Sequence, residues 1–139
     1  MSSFVDTSIL LYSVSGIPQD RRKREIAIDI LSGRQCRLSL QVLNEFTWQA
    51  TSPRRLDRMT FDQAMNFVDA WRRFPVVALD LGLFDAARDV AGRTNYSWWD
   101  CLAVAAARAA ACDTIVTEDL QHGHMIDGVR IENPFIAAG

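Results

Sequence analysis

The stretch Phe4-Val5-Asp6-Thr7-Ser8-Ile9-Leu10 decides how the rest of the chain is interpreted. A short apolar run ends on a carboxylate, two hydroxyl residues follow, and a second apolar run begins at once. This pattern predicts a buried strand, an acid at its carboxyl end and a helix that starts directly after it. Open α/β sheets bind ligands in the crevice outside the carboxyl ends of their strands. We therefore expect Asp6 at a ligand-binding edge.

The composition is that of one folded domain of ordinary size, and we take residues 1–139 as a single domain. Hydrophobic residues make up 49% of the chain, which is enough for a core. Charged residues make up 23% and the net charge is −2, which excludes a disordered chain and a nucleic-acid-binding polycation. Any contact with nucleic acid must come from local patches.

The chain carries no signal for export or membrane insertion. It has no run of about 18 apolar residues and no basic segment ahead of an apolar stretch at its N-terminus. Cys36, Cys101 and Cys112 are odd in number and lack a CxxC spacing. They are expected to be reduced core residues. These features predict a cytoplasmic protein without a membrane partner.

Strand and helix patterns alternate along the whole chain. The predicted strands are Ser3–Val5, Cys36–Leu40, Val76–Leu79, Thr114–Val116 and Gly128–Ile131. The predicted helices are Ser8–Val14, Gln19–Ser32, Gln41–Ala50, Phe61–Phe74, one from Asp80 to about Gly92, and Trp98–Ala111. The segment Thr117–Asp127 is expected to be a polar loop. The alternation predicts an α/β fold of three layers, α/β/α, with a mostly parallel sheet of four to five strands.

Right-handed crossovers place the carboxyl ends of parallel strands along one edge of the sheet, and four acids converge there. Asp6 follows the first strand, and Glu45 lies about one helical turn after the second. Asp100 lies in the first turn of the Ala-rich helix. Asp119 comes just after the fourth strand, with Glu118 beside it. Acids far apart in sequence are thus expected in one pocket.

Several carboxylates in one pocket repel each other and take up protons unless a cation is present. Oxygen-rich pockets suit Mg²⁺ or Mn²⁺. Such an ion lowers the pKa of a bound water and clamps a phosphodiester for in-line attack. Thr7, Ser8 and Thr117 lie beside the acids and are candidates to hold a metal-bound water or a phosphate.

Each acid also has an ordinary structural explanation. Asp6 and Asp100 lie where aspartates commonly cap helices. Glu45 alone is typical of a solvated helix surface, and Asp119 alone is typical of a loop. Only the joint placement of the four favours a site.

The ordered motifs resemble the PIN-domain ribonucleases, in particular the VapC-type toxins of VapBC toxin–antitoxin pairs. The segments that carry the resemblance are Phe4–Leu10, Leu43–Phe46, Trp98–Ala103, Thr117–Gly123 and the tail Ile131–Phe135. Each motif alone is weak, but the ordered set is specific and covers essentially the whole chain.

This resemblance implies a PIN-like fold and an endoribonuclease that depends on Mg²⁺ or Mn²⁺ and acts as the toxin of a type II module. It implies a metal site of Asp6, Glu45, Asp100 and Asp119. It implies supporting roles for Thr7, Ser8, Thr117 and Glu118. A homodimer is expected, as is a small antitoxin whose C-terminal segment blocks the acidic pocket. Position 8 is Ser where the family commonly has Asn, which keeps a polar supporting role possible.

Three further features of the sequence have both a structural and a functional interpretation. Trp98-Trp99 stands where the family usually has an aromatic and a small residue; one indole is expected in the core and the other is left open. His122 and His124 flank Gly123, and we interpret them as structural or surface residues. The arginines that are candidates for RNA phosphate contacts are Arg21, Arg22, Arg24, Arg54 and Arg55. Solvated helix faces explain these arginines equally well, for example through the i,i+4 pair of Arg21 with Glu25.

A second nuclease role stays open, whereas two other classes of function fit less well. A PIN nuclease of RNA processing would carry the same motifs as a toxin. A phosphoacceptor signalling domain usually needs a lysine late in the chain, whereas the only lysine here is Lys23. A dehalogenase-like phosphatase would have a second aspartate at position 8, which is Ser8.

Overall fold

The structure, a computed structural model, describes residues 2–136. Its strands are β1 Ser2–Val5, β2 Gln35–Ser39, β3 Val76–Val77, β4 Thr114–Val116, β5 Met125–Ile126 and β6 Val129–Glu132. Its helices are α1 Thr7–Ser13, α2 Arg21–Gly33, α3 Leu40–Ala50, α4 Phe61–Trp71, α5 Leu81–Arg93 and α6 Trp98–Ala109, with a single 3₁₀ turn at Pro18–Asp20.

The strands form one sheet in the order β3-β2-β1-β4-β6-β5. Strand β1 lies in the middle, parallel to both neighbours, with Phe4 in register with Arg37 of β2 and Ile115 of β4. Strands β3 and β6 extend the parallel sheet, and β5 alone runs antiparallel. The predicted α/β class and mostly parallel sheet are confirmed, with six strands in the described residues instead of four to five.

The additional strand is β5, which lies inside the segment Thr117–Asp127 expected to be a loop. It forms a hairpin with β6 in which Ile126 pairs with Val129. The two residues between them, Asp127 and Gly128, have φ angles of 51° and 81°. Positive φ at both central positions is the requirement of a type I′ turn, and Asp-Gly is one of its preferred dipeptides. The Asp127-Gly128 dipeptide therefore indicates a β-hairpin within the segment that was expected to be a loop.

The helices lie on both faces of the sheet. From β1 to β2 to β3 the chain moves in one direction, and from β3 to β4 it returns across the sheet. Right-handed crossovers therefore place α1 to α4 on one face and α5 with α6 on the other. Helix α6 contacts β1, β2, β4 and β6, and residues 101–107 on it are all buried. The predicted three-layer arrangement is confirmed.

Two predicted helices extend two or three residues past their observed C-terminal ends. The helix expected to reach Phe74 ends at Trp71, before the residues that Pro75 restricts. The helix expected to reach Ala111 ends at Ala109, because Ala111 adopts a left-handed φ of 56°. The N–H of Cys112 donates to the carbonyl of Ala107, which completes a Schellman end.

The core lies between the sheet and the two helical layers. Phe4, Val5, Ile115 and Val116 on the two central strands are fully buried. All three cysteines are buried and free, as expected. Within residues 2–136, no helix has the length and apolar character needed to cross a membrane.

Candidate active site

The site lies where the strand order reverses. The chain leaves β1 towards β2 on one side, whereas β4 lies on the other side of β1. A crevice forms at such a point, outside the carboxyl ends of the two strands. Asp6 directly follows β1, and Thr117, Glu118 and Asp119 directly follow β4.

A cavity of about 840 Å³ opens at this edge. All four predicted acids line it, namely Asp6, Glu45, Asp100 and Asp119. The other lining residues are Thr7, Ser8, Leu11, Tyr12, Ile17, Asp20, Gln41, Asn44, Trp48, Gln49, Arg55, Trp99 and Glu118. Five separate segments of the chain thus meet at one concave surface.

Asp6 is held by both of its carboxylate oxygens. As the N-cap of α1 it accepts a hydrogen bond from the Thr7 N–H at 2.8 Å. Its other oxygen accepts from the hydroxyl of Thr117, a fully buried residue, at 2.8 Å. Burial raises the pKa of Asp6 from 3.8 to about 6, with smaller contributions from the charges of Glu45 and Asp119, although both hydrogen bonds oppose the rise. A nearby cation would favour the charged carboxylate.

Glu45 faces Asp6 from α3, which Ser39 caps by accepting from the N–H of Val42. The hydroxyl of Thr7 donates to one oxygen of Glu45 at 3.2 Å. The side-chain amide of Gln41, one turn earlier on the helix, donates to the other at 2.8 Å. Thr7 therefore connects both acids, through its N–H to Asp6 and through its hydroxyl to Glu45.

Asp100 and Asp119 approach from the other side of the cavity. Ser97 caps α6 by accepting from the N–H of Asp100 at 3.2 Å, which fixes the start of this helix. The N–H of Asp119 donates to the Thr117 hydroxyl at 3.1 Å. Partial burial and the charges of Asp100, Glu118 and Glu45 raise the pKa of Asp119.

Glu118 lines the cavity but already has partners for both oxygens. The Tyr12 hydroxyl donates to one at 2.8 Å, and the Lys23 ammonium lies 2.5 Å from the other. Its N–H is 3.4 Å from the hydroxyl oxygen of Ser8, which ties the β4 loop to α1. Glu118 and Ser8 thus support the loop that carries Asp119.

The donor set fits Mg²⁺ or Mn²⁺ chemically, because it consists of carboxylate, hydroxyl and amide oxygens. Within residues 2–136, no three His, Cys, Asp or Glu side chains are grouped closely enough to hold a metal ion among them. Mg²⁺ keeps several waters and commonly uses only one or two protein carboxylates. The arrangement therefore fits an ion bound partly through water.

Of the five arginines that are candidates for RNA contacts, Arg55 lines the cavity. Its Nε lies 2.8 Å from an oxygen of Asp57. Arg22 donates two hydrogen bonds to the carbonyl of Phe135, and Arg21 pairs with Glu25. The other four of these candidates are exposed and lie outside the cavity lining, namely Arg21, Arg22, Arg24 and Arg54.

Both histidines and Trp98 lie outside the cavity lining. The Nδ1 of His122 accepts from the N–H of Asn133, and the Nδ1 of His124 is hydrogen-bonded to the Tyr96 hydroxyl. Trp98 is half-buried against Phe84 with ring centroids 5.1 Å apart.

Sequence reasoning missed four cavity residues on α3, namely Gln41, Asn44, Trp48 and Gln49. Gln41, Trp48 and Gln49 lie four residues before, three after and four after Glu45, so helical spacing alone places them near its face. Nothing in their residue types marks them as site residues.

Comparison with solved structures gives relatives in fold. VapC20 of Mycobacterium tuberculosis, described as a sarcin-ricin loop cleaving toxin, is 20% identical with a TM-score of 0.63, over 84% of this chain and 89% of that one. A toxin–antitoxin complex from Klebsiella pneumoniae is 16% identical with a TM-score of 0.68, over 96% of this chain and 98% of that one. DNA-bound VapBC from Salmonella typhimurium is 18% identical with a TM-score of 0.64, over 96% of this chain and 98% of that one.

At these identities the similarity concerns the fold. A search of curated proteins gives no match. Residues 3–125, most of the chain, match the family described as PIN domain. The chain therefore belongs to the PIN-domain family, as its ordered motifs predict.

Proposed function

We propose that this protein is an endoribonuclease that depends on Mg²⁺ or Mn²⁺ and acts as the toxin of a type II toxin–antitoxin module. The observation that carries the proposal is the shared cavity of Asp6, Glu45, Asp100 and Asp119 at the reversal of strand order. Membership of the PIN-domain family supports a nuclease, and the fold relatives described as toxins support the toxin role.

In this proposal the four acids would hold a metal ion partly through water, and the bound ion would polarise a phosphodiester and lower the pKa of an attacking water. Asp6 is the central ligand in this proposal, because two hydrogen bonds fix its orientation and a bound cation would offset the burial that raises its pKa. Thr7 and Gln41 orient Glu45. Thr117 aligns both Asp6 and the loop of Asp119.

A small antitoxin is the proposed partner, with a C-terminal segment that enters the acidic cavity. The fold relatives in toxin–antitoxin complexes support this proposal. A positively charged residue of the antitoxin would occupy the position of the cation and relieve the repulsion among the carboxylates. The proposed assembly is a homodimer of this chain with its antitoxin, in the cytoplasm.

The direct experiment is cleavage of labelled RNA by the purified protein with Mg²⁺, with Mn²⁺ and with EDTA. Asp6→Asn and Asp100→Asn each remove a proposed ligand with little change in shape, so each is expected to lower the rate by at least about 100-fold. Asp80→Asn is the matched control, since Asp80 caps α5 outside the cavity. Cleavage that persists in EDTA, or that neither cavity substitution affects, would overturn the assignment.

The toxin role needs a separate test, which is growth after induced expression in a bacterial host. The wild type is expected to arrest growth, and Asp6→Asn is expected to permit it at equal protein level. Active ribonuclease that leaves growth unchanged would contradict the toxin role and favour RNA processing.

A further inference from the structure

Two of the four tryptophans are mostly exposed, and both line the cavity. Trp48 is 75% exposed and Trp99 is 60% exposed, whereas Trp71 is only 5% exposed. Burial of an indole is among the largest stabilising contributions that one side chain makes, so exposed indoles forgo it. Their shared position is therefore informative.

Each of these indoles lies beside one of the cavity acids along the chain. Trp48 follows Glu45 by three residues on α3, which places the two side chains as neighbours along the helix. Trp99 directly precedes Asp100 in the first turn of α6. The exposed aromatic surface therefore extends outward from the carboxylates on two different helices.

Arg55 adds a single guanidinium to the cavity lining, and no other Lys or Arg contributes to it. Its Nε approaches Asp57, whose other oxygen accepts from the N–H of Gly16 at 2.9 Å. In the described part of the chain, the terminal nitrogens of Arg55 have no hydrogen-bond partner. A guanidinium that forms an ion pair at Nε and has no hydrogen bond at its terminal nitrogens suits a phosphate oxygen.

We infer that Trp48, Trp99 and Arg55 form a subsite that holds unpaired nucleotides of an RNA strand next to the carboxylates. The inference rests on the proposed ribonuclease function and adds the residues of this chain that position the strand beside the acids. Bases stack on exposed aromatic rings only where they are free of a duplex, and every base has such a face. The two indoles therefore select unpaired RNA over helical RNA with little dependence on sequence, while Arg55 contacts a phosphate.

The test is binding of a fluorescent 12-nucleotide single-stranded RNA, and of the same strand in a duplex, to the Asp6→Asn protein in EDTA at low salt. The RNA stays intact under these conditions whether or not the protein is a ribonuclease. A failure of this subsite is therefore distinguishable from a failure of the proposed activity. Tight binding of the single strand and weaker binding of the duplex are expected.

Trp48→Ala and Trp99→Ala are each expected to weaken single-strand binding roughly 5- to 100-fold, the range that stacking of one base supports. Phenylalanine at either position is expected to restore most of the affinity, because it retains a stacking face. Arg55→Ala is expected to weaken binding less at high salt than at low salt. The matched controls are Phe61→Ala and Arg88→Ala, which change exposed residues outside the cavity.

Equal affinity for single strand and duplex would overturn the inference, as would an absence of RNA binding by protein with native circular dichroism. It would also be overturned if both alanine variants bound RNA like the controls. If those variants instead weakened binding of a co-expressed antitoxin, the indoles would belong to a protein interface.

Discussion

Replacement of Asp6 by asparagine is expected to stabilise the metal-free protein at neutral pH. Burial raises the pKa of Asp6 from 3.8 to about 6, so its ionised form is less favourable in the folded than in the unfolded chain. Asparagine has nearly the same shape and still accepts a hydrogen bond from the Thr7 N–H through its amide oxygen. It carries no charge, so the cost of burying the ionised carboxylate disappears.

The magnitude and its pH dependence follow from linkage. Below pH 3.8 the carboxyl is protonated in both states and its ionisation costs nothing. Between pH 3.8 and 6 the unfolded chain loses this proton more readily, so wild-type stability falls as the pH rises and remains lower above 6. At about 1.36 kcal/mol per pKa unit the cost is about 3 kcal/mol. The weakened bond to Thr117 offsets about 1 kcal/mol of the gain, which leaves about 2 kcal/mol at pH 7.5.

Urea unfolding in EDTA at pH 4 and pH 7.5 measures this difference. Asp6→Asn is expected to exceed the wild type by about 2 kcal/mol at pH 7.5 and to lose most of that advantage at pH 4. Asp80→Asn controls for the loss of negative charge at a helix N-terminus, because Asp80 is an exposed cap. Added Mg²⁺ is expected to stabilise the wild type at pH 7.5 far more than Asp6→Asn, since the ion binds only the folded site.

Two results would refute parts of this reasoning independently. An Asp6→Asn protein that is less stable than the wild type at pH 7.5, with the same deficit at pH 4, would show that the carboxylate stabilises the fold as an ordinary cap. Equal stabilisation of both proteins by Mg²⁺ would remove Asp6 from the metal site, whatever the outcome of the pH comparison.

Three further substitutions test neighbouring features by thermal and urea unfolding. Thr117→Val removes the hydroxyl that donates to Asp6, and is expected to cost about 2 kcal/mol at pH 7.5 and less at pH 4; equal losses would contradict the link to the Asp6 charge. Lys23→Met is expected to cost about 1 kcal/mol or less, because its partly exposed ion pair with Glu118 is screened by solvent; a loss above 3 kcal/mol would reveal a larger structural role. Ala111→Gly is expected to stabilise by about 0.5–1 kcal/mol, since glycine adopts a positive φ without strain; no gain would mean that Ala111 is unstrained.

The sequence predicted the features that follow from local pattern and from rules of chain connection. Alternation of strands and helices gave the layers, and the handedness of crossovers brought Asp6 and Asp119 to the same edge although 113 positions separate them. The position of Asp6 at a helix start predicted that it caps α1. These inferences hold because each depends on a few neighbouring residues or on a topological rule that applies to all parallel sheets.

Features that depend on which side chains meet across the fold were not predictable. In the sequence Trp48 resembles any aromatic residue of a helix, and only the folded structure shows that its side chain is 75% exposed. Arg22 belongs to a basic cluster in sequence, yet its guanidinium is bonded to the carbonyl of Phe135, 113 residues later. The tertiary fold determines which residues make such contacts. Neither the spacing nor the type of the residues in the sequence predicts them.

The adjacent acids Glu118 and Asp119 show how the fold limits the repulsion that its own site creates. Both follow β4 and both line the cavity, where Asp6, Asp20, Glu45 and Asp100 lie as well, so six carboxylates share this surface. Lys23 and Tyr12 bind both oxygens of Glu118 and offset much of its charge, although Glu118 still contributes to the raised pKa of Asp119. The Lys23 ammonium also lies over the rings of Tyr12 and Phe135, 4.7 and 5.3 Å from their centroids, so the C-terminal segment holds it in place. The ion pair therefore reduces the repulsion that Glu118 adds to the acids proposed to bind a cation.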